Sequence, residues 1–173
     1  KTTEILYSKN YVYNEKKNIS KIFIKGKLNS GKITQKLLDK FELPILSAMI
    51  KKNVFNQIKF DNRYTIIGDF DFFINFSLTK KSSVIQEPLV YYRYHGSNLT
   101  TKKIDLNIKE LENWLAEKIK NKNLKLYNFS QIYKLIELLK IKKRFLKGNN
   151  LKVFFSILKR PILIFDYLRT KLV

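Results

Sequence analysis

The chain has 173 residues, a length that favours one domain or one domain with an appendage, and 45% of them are hydrophobic, enough for a packed core rather than global disorder. It has no cysteine and one histidine, His95, which excludes disulfides, cysteine–zinc sites and a multi-histidine metal site within one chain. Its 35 Lys and Arg against 14 Asp and Glu give a formal net charge of +21, a field that attracts nucleic acid, anionic membrane or nucleotide phosphates.

The polar start Lys1-Thr2-Thr3-Glu4 has no initiator Met and no signal-peptide pattern, which suggests a fragment beginning inside a longer protein. Ile5 to Tyr13 is β-rich and reads as a strand, Asn14 to Asn18 as a turn, and Ile22 to Ile24 as a short strand. Gly26 to Gly31 reads as loop. Ile33, Leu37, Leu38 and Phe41 keep helical spacing, and Pro44 ends that helix. Leu46 to Ile50 fits a buried strand, and Phe60-Asp61-Asn62 a turn. Phe70 to Leu78 fits a buried helix, Leu89 to Tyr94 a strand, and Gly96-Ser97-Asn98 the turn that closes it.

After Thr101 the pattern becomes helical. Ile108, Leu111, Leu115 and Ile119 stripe one face of a helix over residues 105–120. A second helix runs from Phe129 to Leu146, with Ser130 as N-cap and Gly148 as stop. A third stretch, Leu151 to Leu168, is interrupted at Pro161. No apolar run approaches the roughly 20 residues of a membrane span.

The acidic residues of IIGDFDFFINF, residues 66–76, pose the chemical question. Asp69 and Asp71 could be a metal-binding pair, a catalytic acid or base, or two acids placed favourably against a helix macrodipole. Within a helix they stand about 200° apart and cannot share a metal. The helical spacing of Phe72, Phe73 and Phe76 puts Asp69 at the helix start, on or near the core-facing side, with Asp71 turned elsewhere.

The larger block, FDNRYTIIGDFDFFINF followed after about ten residues by EPLVYYRYHGSNLT, resembles the family 2 glycosyltransferases of the GT-A fold. That family has an F-D-x-x-Y turn, an acidic pair opening an aromatic helix, and an E-P-L-x-x-Y-R-x-H strand before N-L-[ST], in this order. The upstream LPILSAMIKKNVF is also similar to the segment leading into this region, so the resemblance covers roughly residues 5 to 101. It implies a partial GT-A, Rossmann-like α/β fold over residues 1–101, the acceptor-side half of a nucleotide-diphospho-sugar transferase, and an α-helical extension over residues 102–173.

By this resemblance Asp69 is the general base that deprotonates the acceptor hydroxyl, with Gly68 standing where many members carry an acid. His95 matches a histidine that binds the divalent metal or the leaving diphosphate, and Arg93 matches a phosphate or acceptor contact. A single base suits one displacement with inversion, and positive charge is needed on the departing diphosphate. Mn or Mg is implied for the complete enzyme, although the D-x-D segment that holds it is not in this chain. The implied partners are a nucleotide-sugar donor and a saccharide or lipid-linked acceptor in surface polysaccharide or oligosaccharide synthesis. The implied place is the cytoplasm, at the inner face of the membrane where the acceptor is lipid-linked. The segment from Leu151 to Val173 mixes large apolar residues with Lys and Arg, which suits packing on the rest of the chain, a second copy in a homo-oligomer, or an anionic membrane surface.

Two rival readings come from other classes. The charge and interleaved tyrosines suit a basic nucleic-acid-binding domain. Against it, the lysines are spread along the chain, no nucleic-acid motif is present, and Lys, Asn, Ile, Phe and Tyr all share A/T-rich codons. The helical tail suits a membrane-surface or oligomerisation module without catalysis.

Overall fold

The computed structural model describes residues 3–148. The third helical stretch expected from the sequence, Leu151 to Leu168, lies outside the described residues. The expected mixed α/β class holds: four strands form one sheet, and helices pack against it and against one another.

Strand β1 (Ile5–Asn14) is the centre of the sheet. Strand β4 (Ser82–Tyr94) runs parallel to it along its whole length, from Ile5 opposite Ser82 to Asn14 opposite Tyr94. A strand has two edges, so β2 (Ile19–Ile22) and β3 (Ala48–Ile50) share the other one, both antiparallel. β2 pairs with the end of β1 and β3 with its beginning.

The strand expected over residues 22–24 therefore sits earlier. Ile19–Ile22 is exposed, and the chain leaves β1 after Phe23, whose N–H still donates to the Asn10 carbonyl, so that Ile24 can enter the core. The buried strand expected over residues 46–50 is also corrected. Ile45–Ser47 is a 3₁₀ turn, only Ala48–Ile50 is strand, and Met49 is 74% exposed. Strand β4 begins well before Leu89, because a register shift opposite Ser8, Lys9 and Asn10 absorbs extra residues around Glu87-Pro88. Proline, which cannot donate to a ladder, is tolerated at such an irregularity.

Helix α1 (Thr34–Asp39) ends before Phe41 and packs Leu37 and Leu38 inward. Helix α2 (Gly68–Thr79) is buried on nearly every side: Phe72, Phe73, Ile74 and Phe76 are each at most 1% exposed. Its aromatic run is core. Phe72 stacks on Phe60 at 4.5 Å, and Phe70 tilts against Trp114 at 4.7 Å and meets Phe41 edge-on at 5.3 Å. Such pairs add to their area burial by roughly 0.5–1.5 kcal/mol each.

After a short turn of helix, α3 (Leu99–Lys102), helix α4 (Ile104–Lys118) crosses behind α2, and α5 (Ser130–Leu146) packs on α4. One hydrophobic cluster joins β1, α1, α2, α4 and the start of α5. The expected stripe of α4 is right at Ile108, Leu111 and Leu115, but Ile119 lies past the helix and is 42% exposed. Ser130 is not the N-cap of α5. Phe129 holds that position, and the Asn128 side chain accepts the Ser130 N–H at 2.8 Å. Gly148 closes α5 with φ +72°, a left-handed conformation suited to glycine.

Candidate active site

The segment that delivers Asp69 is built by two turns, one held locally and one from a distant helix. At the first, Asp61 Oδ1 accepts the Arg63 N–H at 2.9 Å and its side chain pairs with the Arg63 guanidinium, folding the Phe60-Asp61-Asn62 corner. At the second, the backbone of Thr65, Ile66 and Ile67 points three successive N–H groups at one buried carboxylate, that of Glu110. The distances are 2.8, 2.9 and 3.1 Å, and Glu110 is 5% exposed. Helix α2 has no capping side chain of its own at Ile67. Its start is capped from α4 instead, by an acid more than forty residues away in sequence.

The two aspartates of the helix have separate lives. They do point in different directions, as helical geometry requires, and Asp69 is half-buried as its place near the core-facing side implies, but Asp71 is not turned away from the core. Asp71 is the core residue, 2% exposed. Its Oδ1 accepts the Trp114 indole N–H at 2.8 Å and lies 2.8 Å from Lys118 Nζ, and its Oδ2 accepts the Asn75 amide at 2.9 Å. A buried carboxylate survives in a core only when paired and hydrogen-bonded, and α4 supplies both partners. Glu110, Trp114 and Lys118 follow one another at intervals of four, so one face of α4 grips the start of α2 three times.

Asp69 stands in the first turn of α2, half-buried. Its Oδ1 accepts the N–H of Phe70 at 2.8 Å. Burial pushes its carboxyl above the usual carboxylate range, and the backbone amides of Phe70, of Asp69 itself and of Ile45 draw it partly back. Among the described residues no cation forms an ion pair with it. A carboxylate raised by desolvation and free of a salt-bridge partner is a better proton acceptor than a surface aspartate.

Arg93 and His95 lie at the far end of β4, where Arg93 stands opposite Tyr13. Among the described residues, no hydrogen bond or ion pair joins either to Asp69. Arg93 is engaged by Glu15, with Nη2 2.7 Å from Oε1 and Nε 3.3 Å from Oε2, and the pair is exposed. His95 is half-buried. Its Nδ1 accepts the Ser97 N–H at 3.1 Å, and its backbone N–H is held by the Asn98 side chain.

No group of three His, Cys, Asp or Glu side chains converges among the described residues, and His95 alone is no centre. Nor is any described helix long and apolar enough to cross a membrane.

Sequence reasoning passed over Glu110, Trp114 and Lys118. The signal was present as polar residues at four-residue spacing beside the apolar stripe of α4. Comparison of the chain with protein-family models, with curated proteins and with solved structures gave no match.

Proposed function

We propose that the chain forms the acceptor side of an inverting glycosyltransferase, with Asp69 as the general base, on the β-sheet and helix scaffold of a GT-A fold. The observation that carries this reading is the setting of Asp69: a half-buried carboxylate at a helix start, raised by desolvation, with no ion pair to a cation among the described residues. Such a group takes the proton of an acceptor hydroxyl as its oxygen attacks the anomeric carbon of the donor sugar. The C–O bond to the nucleoside diphosphate breaks as the new glycosidic bond forms on the opposite face.

The ordered run of motifs from the F-D-x-x-Y turn to the E-P-L strand supports the same reading. The acceptor-side chemistry belongs to this chain, while the donor's diphosphate needs positive charge from elsewhere in the enzyme or from Arg93 once released from Glu15. Supply of a lipid-linked acceptor would place the enzyme at the inner face of a membrane.

The test is a transfer assay on the complete natural protein with a panel of nucleotide-sugars and membrane or saccharide acceptors. The reading predicts acceptor-dependent release of a nucleoside diphosphate and a product of inverted anomeric configuration. Absence of transfer across the panel, or a product of retained configuration, refutes it.

A further inference from the structure

Away from Asp69, an open groove of about 1010 Å³ lies between β2, the segment 23–29 that follows it, and the C-terminal end of α1. Its charge is one-sided. Lys21, Lys25, Lys27, Lys36 and Lys40 line it against two carboxylates, Asp39 and Glu42, an excess of three positive charges by that count. Among the described residues one of the five lysines is ion-paired: Lys40 Nζ lies 2.8 Å from Glu42 Oε1 and 6.0 Å from the centre of the Phe23 ring. Asp39 accepts the Gln35 amide at 2.8 Å. The remaining four lysines form no ion pair among the described residues.

The backbone fixes where these charges stand. Lys21 is held opposite Val12 by the β1–β2 register, and Lys36 is on α1. Lys25 and Lys27 flank Gly26, where the chain leaves the sheet. The C-terminal end of α1 contributes partial negative charge, but at most about half a unit, too little to offset an excess of three. Like charges gathered around one concavity repel, and an anion placed among them lowers that energy. Ammonium groups bind phosphate oxygens as strong point charges.

We propose that this groove binds a small, multiply charged phosphate anion, a di- or triphosphate group. Its size matches the upper range of small-ligand sites, roughly 300–1,000 Å³. A recessed groove suits a ligand that enters it, whereas a flat lipid surface would meet only its rim. Phe23 is half-buried with Lys40 Nζ over its ring, and among the lining residues it is a single aromatic ring rather than the succession of faces that stacks nucleic-acid bases. The proposal does not depend on the chemistry of Asp69.

The probe is inorganic triphosphate, titrated calorimetrically into the full chain at low and at physiological salt. A Lys25→Gln/Lys27→Gln/Lys36→Gln variant is compared with Lys109→Gln/Lys122→Gln/Lys125→Gln, which removes the same charge from exposed positions elsewhere. All six side chains are solvent-facing, and unchanged Trp114 fluorescence confirms the fold of both variants. The expected result is saturable one-to-one binding that weakens with salt, is reduced at least about tenfold by the groove variant and is nearly unaffected by the control. Equal loss in both variants would show net charge alone and overturn the site. So would flotation with phosphatidylglycerol vesicles without saturable triphosphate binding, which would assign the lysines to a membrane surface.

Discussion

Lys118→Met is the sharpest perturbation of the scaffold that holds Asp69. It removes the ammonium group 2.8 Å from Asp71 Oδ1, in a pair whose side chains are only 9% and 2% exposed. The Trp114 and Asn75 donors remain, so the carboxylate keeps two neutral hydrogen bonds and loses its counter-charge. Breaking a buried pair from one side costs about 3–5 kcal/mol, a large part of the 5–15 kcal/mol that holds a typical domain together.

Asp71→Asn removes the charge but retains an acceptor for Trp114, and Lys118 keeps the Asn75 carbonyl at 3.3 Å. Its cost is smaller, about 2–3 kcal/mol. The double variant buries no charge and is expected to cost only about 1–2 kcal/mol, less than Lys118→Met alone. The assay is urea unfolding followed by fluorescence of Trp114, the chain's single tryptophan, fully buried and bonded to Asp71 itself. A Lys118→Met cost below about 1 kcal/mol, or a double variant whose cost equals the sum of the singles, would refute the buried-pair reasoning.

Glu110→Gln replaces one carboxylate oxygen with a donor that in either amide orientation faces at least one of the three N–H groups, and should cost about 2–4 kcal/mol in the same unfolding assay. The Thr65–Ile67 amides should then exchange hydrogen faster than those in the middle of α2. Gly68 has no atom within 4 Å of where a Cβ would stand, so Gly68→Ala should stabilise by up to about 0.5–1 kcal/mol, and Gly68→Glu should fold with at least wild-type stability because an acid suits the first turn. Asp69 titrates above its ordinary value of 3.8 in the folded chain, so the folded form holds this proton more tightly than the unfolded one. Ionising it costs stability that is lost as pH rises through the folded value, so Asp69→Asn should match wild type in acid and exceed it at neutral pH, read as the midpoint of urea unfolding against pH. For the same reason the acid limb of transfer activity should lie above the range of a surface aspartate.

How much of this was legible in the sequence follows from how local each cause is. Strand β1, the buried run of α2 and the apolar stripe of α4 are written in side-chain periodicity, and they appear close to where that periodicity puts them. Residues 46–50 looked like a buried strand because Ile and Met are apolar. Pairing with only Ile5 to Tyr7 at one edge of β1 makes the strand short and leaves Met49 outside. The failure at Asp71 has a single cause. With α2 buried on almost all sides, polarity no longer marks the solvent face, and the partners that let Asp71 enter the core lie on a helix whose packing the local sequence does not reveal. The spacing of Glu110 with Trp114 and Lys118 marks a face of α4, but what Glu110 binds is not legible, because its partners are backbone amides.

The scaffold and the chemistry can thus be separated in one experiment on Asp69→Asn in the complete natural protein. Sugar transfer and nucleotide binding are measured side by side, with Trp114 fluorescence as the check on folding. The account predicts a folded variant, at least as stable as wild type at neutral pH, that binds nucleotide and loses transfer by about a hundredfold to ten-thousandfold. Near-normal turnover in that folded variant would contradict it.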